Sequence, residues 1–358
     1  MIKTQIALMG AGGIGRTHID RIMRSSNLQL AGIADPSDAG KALALQLGIR
    51  WFADHRDLLD TVKPQGAIIA TPNALHVPMA LDCLTRGVAA LVEKPMADTV
   101  LEAQVLVDAQ ARTGVPVLVG HHRRHNPINR RARDIVASGR LGQLVTANVM
   151  ATFLKPDAYF DAMWRRTKGG GPILINLIHE IDMLRFFMGE IASVQSITSN
   201  QVRGFEVEDT VAAVLRFANG ALGTVVLSDT VASPWCWDFC AGEQDQYPRQ
   251  NVQSHFIGGT QGSLSIPDLQ LWNYRGERSW YAELTQEKTF VHVADPYTLQ
   301  LQHFKAVIEG TEAPLSSALD GLRTLQATLA VAEAAASGAA VDCSLSAVVN
   351  KNTGSAMP

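Results

Sequence analysis

The sequence has no long uninterrupted apolar run; none reaches the roughly 18 residues that a membrane-spanning helix needs. Cysteine is scarce too. Cys83, Cys236, Cys240 and Cys343 are too few and too scattered for a disulfide framework, and they read as reduced thiols of a cytoplasmic protein. Neither sign of charge dominates. The net charge of −3 gives no case for nucleic acid or for an anionic membrane surface as a partner. There is no internal repeat and no low-complexity segment, apart from a Ser/Asn/Gly tail after Asn350 that is expected to fray. The opening residues Met1–Ile6 run straight into an apolar strand, so no signal peptide is expected. What is present is ordinary for a globular protein with a large core. Hydrophobic residues make up 47% of 358 positions, a length that suits two domains.

The first third alternates short apolar runs with amphipathic stretches. Strands are expected over 5–9, 28–34, 66–70, 89–92 and 116–119, with helices near 15–25, 37–47, 75–86 and 99–113. That rhythm predicts right-handed βαβ units and a parallel sheet, and the near-continuous apolar strands predict helices on both faces. The pattern changes after His125. A basic helix near 129–138, a strand near 144–153 and an apolar helix from Gly169-Gly170-Gly171 to Gly189 precede two alternating runs, 210–217 and 222–231. Asn219-Gly220 between them is a hairpin signal. Strands near 254–257, 263–266 and 269–274 and helices near 297–309 and 318–336 follow. The expected fold is an α/β Rossmann domain with a parallel sheet (1–125), then an α+β domain with a large, mostly antiparallel open sheet (126–358), whose C-terminal helices pack back on the first.

Gly10-Ala11-Gly12-Gly13-Ile14-Gly15 follows the first strand and opens a helix. In that context G-x-G-x-x-G is a dinucleotide fingerprint. Gly10 permits the turn, Gly12 lets a pyrophosphate approach the backbone, and Gly15 permits close helix–strand packing. The helix N-terminus offers unpaired N–H groups and the positive end of its dipole. Asp35 ends the second strand twenty residues beyond Gly15, where an acid binds the adenosine ribose hydroxyls. Pro36-Ser37-Asp38 brings no arginine, so NAD is favoured over NADP. At the same sheet edge lie Thr71, Pro72, Asn73 and His76. Thr71 and Asn73 suit either the ribose or nicotinamide or a helix cap.

Glu93-Lys94-Pro95 ends another strand at that edge. A lysine there can hydrogen-bond a substrate hydroxyl and stabilise alkoxide character as hydride leaves, with Glu93 and Pro95 fixing it. Taken alone, a strand-end lysine is more often a solvated charge. In the second domain Asn176, His179 and Asp182 are spaced three apart, as on one helix face, after Pro172 at a first helical position. His179 can accept a proton near neutral pH, and Asn176 or Asp182 can orient its ring or grip a neighbouring hydroxyl. A capped polar stripe on a half-buried helix would look the same.

These motifs together resemble the Gfo/Idh/MocA oxidoreductase family, of which glucose–fructose oxidoreductase and inositol dehydrogenase are members. The resemblance runs over nearly the whole chain: the glycine fingerprint with Arg16 and His18, Ala70–His76, Glu93-Lys94-Pro95, Arg123-Arg124, Trp164-Arg165 and the helix through Asp182. It implies a Lys94/His179 catalytic pair, with Asn176 and Asp182 beside it, and Trp164-Arg165 near the nicotinamide. It also implies self-association through the open sheet, as homodimer or homotetramer. The expected cofactor set is Gly10, Gly12, Gly13, Ile14, Gly15, Asp35, Thr71, Pro72, Asn73, His76, Glu93, Lys94, Arg123, Trp164 and Arg165. Many members carry Asp where this chain has Asn176, and an amide holds no charge beside an imidazolium.

The expected reaction is NAD-dependent oxidation of a secondary hydroxyl on a sugar, cyclitol or related polyhydroxylated ring. Three alternatives stand beside it: a carboxylated dihydrodiol or sugar acid as substrate, a recycled tightly bound cofactor, and a catalytically silent NAD-binding co-regulator. His121-His122-Arg123-Arg124-His125 ends a strand, so its spacing is no helical metal chelate. It reads as a cationic rim which, with Arg165, Arg166 and Lys168, would suit a carboxylate. No metal is expected there or at Cys236/Cys240. A sheet face bearing Val211, Val214, Leu222, Val225 and Leu227 is the expected oligomer surface.

Overall fold

A computed structural model describes residues 3–344; the tail beyond Asn350 lies outside the described residues. The chain divides into two compact units, one of residues 1–125 with 294–325 and the other of 126–293 with 326–358.

In the first unit, strands β1 (Thr4–Met9), β2 (Leu28–Ala34), β3 (Trp51–Phe52), β4 (Gly66–Ile69), β5 (Ala89–Val92) and β6 (Val117–Val119) form one sheet in the order β3-β2-β1-β4-β5-β6. Every pairing is parallel. β4, β5 and β6 are buried at every position, because helices cover both faces. Helices α1 (Gly13–Arg24), α2 (Asp38–Gln46), α3 (His55–Val62), α4 (His76–Leu84) and α5 (Val100–Thr113) connect them. Ser37 caps α2, and Thr99 with Glu102 forms a reciprocal capping box on α5. The order reverses at β1, so the loops after β1 and β4 lie side by side at the switch point where such sheets bind ligands. The late helix Pro296–Ile308 adds Leu301 and Phe304 to this core.

The second unit begins with α6 (Pro127–Ala137), capped by the Asn126 side chain, and β7 (Leu144–Thr152). A π-helical turn over Ile173–Leu177 runs into α7 (Ile178–Met188). Strands β8 (Ile191–Ser199), β9 (Thr210–Phe217) and β10 (Leu222–Ser228) follow, then β11 (His255–Gly259), β12 (Gly262–Ile266), β13 (Gln270–Tyr274), β14 (Leu284–Lys288) and β15 (Val341–Asp342). They make a nine-stranded sheet, β14-β13-β12-β11-β7-β10-β9-β8-β15, antiparallel except where β10 runs parallel to β7. Asn219-Gly220 does form the β9–β10 hairpin, with Gly220 at φ +88°. One face carries the core with α6, α7 and Ala327–Ala334 of the final helix, Ala318–Ser337.

The other face corrects one expectation. Val211, Val225 and Leu227 point into the core, while Val214 and Leu222 are about half exposed. Strand side chains alternate, so positions an odd number apart cannot share a face. The open face instead shows Val145, Ile197, Val214, Leu222 and Phe256.

Candidate active site

The glycine loop of the first unit is held from below and open above. Gly10 has φ +89°, and a Cβ there would stand 2.6 Å from the Ala70 carbonyl oxygen. A Cβ on Gly15 would meet the Gly10 carbonyl oxygen at 2.1 Å, so helix and turn approach as closely as glycine permits. Around Gly12 and Gly13, by contrast, added Cβ atoms would meet nothing within 4 Å. α1 starts at Gly13 with no side-chain cap and no acid in its first turn, which leaves its N–H groups and dipole to an outside anion. These residues fit a dinucleotide pyrophosphate.

Asp35 ties β2 to that loop. Its Oδ2 accepts from the Ala11 N–H (2.7 Å), and its Oδ1 accepts from the Ser37 N–H (2.9 Å) and hydroxyl (2.5 Å). Burial works against its charge. The hydrogen bonds from Ser37 and Ala11 outweigh burial and, with Arg16 nearby, hold the carboxyl below its ordinary range. A charged acceptor stands fixed beside the glycine loop, as a ribose diol requires.

The edge after β4 and β5 is bolted rather than loose. The His76 ring is buried, with Nδ1 2.8 Å from the Pro95 carbonyl and Nε2 2.9 Å from the Thr71 carbonyl. It brackets Thr71–Asn73 to the residue that follows Lys94. Pro72 leads into a single 3-10 turn, Asn73–Leu75, before α4. Thr71 donates its hydroxyl to the Met79 sulfur at 3.7 Å. Glu93 is buried, and His18 Nε2 lies 2.7 Å from its Oε1. Burial alone would raise the Glu93 carboxyl. The His18 bond, with positive charge from His122 and Lys94, brings it below its usual range. Lys94 itself is half-buried between these anchors.

The segment His121–His125 is not the solvent rim its charge suggests. All five side chains are buried. His122 stacks on Tyr297 with centroids 4.4 Å apart, and Arg124 donates to the Leu315 carbonyl at 2.9 Å and lies 3.4 Å from Asp320. The helix Pro296–Ile308 and the residues after it supply that cover from far along the chain.

In the second unit the π turn changes the expected stripe. His179 and Asp182 are three apart on regular α7, and both are buried; Asn176 lies in the wider π turn, half-buried. The three-residue spacing places His179 and Asp182 on one face of α7. Glu208 Oε1 accepts from the Ile173 N–H at 2.9 Å, closing the start of the turn, and burial pushes that carboxyl up. Gly171 leaves room for it, since a Cβ there would meet Glu208 at 2.4 Å.

Sequence reasoning did not single out what surrounds Asn176. Lys155 Nζ donates to Asn176 Oδ1 at 2.7 Å and lies 3.3 Å from Asp229 Oδ2. Arg203 Nε donates to Asp229 Oδ1 at 2.9 Å. Burial lowers the basicity of the Lys155 ammonium, against the pull of Asp229. Arg165 lies over the Tyr159 ring, 3.9 Å from its centroid, and donates to the Tyr159 carbonyl. Trp164 is 55% exposed. The only sequence signal for Lys155 is its place just beyond an apolar strand, the same signal that marks Lys94.

A parallel sheet with an open glycine loop, a fixed ribose acceptor and an anchored lysine defines a dinucleotide-dependent oxidoreductase. The family models agree: residues 4–121 match the oxidoreductase family with NAD-binding Rossmann fold, and residues 129–265 match the GFO/IDH/MocA C-terminal domain. The chain belongs to the Gfo/Idh/MocA oxidoreductases. It is 28% identical over 341 residues to a 1,5-anhydro-D-fructose reductase of Ensifer adhaerens, covering 94% of this chain and 97% of the relative. It is 26% identical over 340 residues to a scyllo-inositol 2-dehydrogenase (NAD(+)) of Bacillus subtilis, covering 92% and 93%. Among solved structures, the WlbA dehydrogenase of Bordetella pertussis, in complex with NADH and UDP-GlcNAcA, superposes with a TM-score of 0.77 at 25% identity, covering 96% of this chain and 99% of that one.

Proposed function

We propose that the protein oxidises a secondary hydroxyl of a sugar, cyclitol or related polyhydroxylated ring, with Lys94 and His179 as the acid–base pair. The observation that carries this reading is the anchoring of the Lys94 strand end, between Glu93 held on His18 and the Pro95 carbonyl held on His76. The residues that would hold NAD are the glycine loop, Asp35 and the Thr71–Asn73 turn; when bound, NAD supplies the acceptor for hydride from the carbinol carbon. The Lys94 ammonium hydrogen-bonds the carbinol oxygen and stabilises its developing negative charge. His179 takes the hydroxyl proton as general base, with Asp182 beside it on α7. Relatives named for a ring polyol and an anhydrosugar support this substrate class. The reading also makes the protein a cytoplasmic enzyme that self-associates through the open face around Val214 and Phe256.

Lys94→Ala and His179→Ala test it. Each is expected to cut kcat by about 10²–10⁴, with NADH binding retained. Near-wild-type turnover in either variant would remove that residue from the chemistry.

A further inference from the structure

Lys155 stands just beyond β7 and is only 8% exposed. An ammonium only donates, so the Asn176 amide must turn its oxygen toward Lys155, and its NH₂ becomes the outward end. The partners of the Lys155 ammonium are Asn176 and Asp229, which leaves its third N–H unassigned among the described residues.

Several charged groups surround the Lys155 ammonium. Asp229, 1% exposed, serves both Lys155 and Arg203. Asp157 lies 3.6 Å from Arg203 but is fully exposed, so water screens it. Asp209 is taken up by the N–H groups of Val202 and Arg203 and by the Thr210 hydroxyl. Glu208 Oε1 accepts from the Ile173 N–H. Arg165 adds a further cation on the Tyr159 ring, which also lies 4.7 Å from Lys155 Nζ, and its buried Nε has no partner among the described residues. Three donors in the cluster have no assigned partner among the described residues: the third Lys155 Nζ–H, the Asn176 Nδ2–H and the Arg165 Nε–H.

We infer that Lys155, Asn176 and Arg165 form a subsite for a carboxylate carried by the substrate. This rests on the dehydrogenase reading and narrows it to a hydroxy acid, such as a sugar acid or a carboxylated cyclic diol. A carboxylate only accepts, through two oxygens, and bonds to it from Lys155 and Arg165 would be charge-assisted.

Matched substrates test the inference: glucose against glucuronate and gluconate, and a neutral cyclic diol against its carboxylated counterpart. The readouts are kcat/KM with NAD, and calorimetric binding of each acid to the protein–NADH complex. The wild type is expected to favour the carboxylated member. Lys155→Met is expected to cut that preference about 10- to 150-fold, the worth of a charge-assisted hydrogen bond, mainly through KM. Asn176→Asp, which sets a carboxylate against the incoming one, is expected to cut it similarly, and Lys155→Arg to restore part of it. Taking the ratio between matched substrates cancels a general loss of rate, and an unchanged circular dichroism spectrum and melting transition report intact folding.

Preference for the neutral member, or an unchanged ratio in Lys155→Met, would overturn the subsite. If the wild type turned over neither member of any pair, the dehydrogenase reading would fall. Calorimetry would then still decide the subsite, since the acid must bind the wild type and lose affinity in Lys155→Met.

Discussion

Asp35→Asn separates the two nicotinamide dinucleotides. Three protein donors already use about three of the roughly four lone-pair directions on the Asp35 carboxylate, leaving one for a ribose hydroxyl. A hydrogen bond to a charged acceptor contributes about 1.5–3 kcal/mol. Losing it should weaken NADH about 10- to 150-fold. For NADPH the carboxylate repels the 2′-phosphate. One charge at about 5 Å and an effective dielectric near 20 gives roughly 3 kcal/mol, which solvent at this half-buried site reduces toward about 1 kcal/mol. NADPH should therefore gain several-fold as NADH loses, and the ratio of their dissociation constants should move about 100-fold. Fluorescence titration of both dinucleotides measures it. The sign with pH also follows. The folded carboxyl lies below its ordinary value, so its contribution is full above about pH 4 and is lost only as pH falls through the lowered pKa. An Asn variant that binds NADH within threefold of wild type, with the NADPH ratio unchanged, would refute Asp35 as the ribose acceptor.

Gly15→Ala and Gly13→Ala form a contrasting pair. The first drives a Cβ into the Gly10 carbonyl and should cost about 1–3 kcal/mol in denaturant unfolding, whereas the second meets only open space and should keep its stability. Glu208→Ala removes the acceptor of the Ile173 N–H and should cost about 1–2 kcal/mol; an unchanged melting transition would show that water replaces it. The four cysteines are all buried, with the Cys83 and Cys236 thiols pushed up to about 12 and Cys240 to about 11 by burial. A thiol reagent at pH 8 should label none of them quickly in the native protein and all four after denaturation.

Most of the parallel sheet was legible because its strands are short apolar runs between helices with ordinary caps. β2, β5 and β9 match their expected spans to the residue. β3, α3, β8, β14 and the two-residue β15 carried too little pattern to be read. β3 is two residues long, and α3 buries only Leu58 and Leu59. β8 is rich in Ser, Thr and Gln, and the edge strand β14 (Leu-Thr-Gln-Glu-Lys) is almost wholly polar. Of the site, the glycine loop and Asp35 were legible because their chemistry is local. The burial of His121–His125 was not, since its cover comes from residues near 297–320. The Lys155–Asn176–Asp229 cluster was not legible either, because β7, the π turn and the end of β10 meet only through the topology of the second sheet. The π turn left no mark in the sequence: Ile173–Leu177 reads as ordinary apolar helix.

The central claim is direct removal of hydride from a carbinol carbon to NAD. The measurement is turnover of a polyhydroxylated ring or sugar acid deuterated at the reacting carbon, with mass analysis of the nicotinamide product. The account predicts one deuterium in the reduced nicotinamide and a rate that collapses in Lys94→Ala and His179→Ala. Deuterium released to water would contradict direct transfer, and a protein that binds NADH yet turns over no member of the panel would contradict the dehydrogenase itself and favour a silent NAD-binding co-regulator.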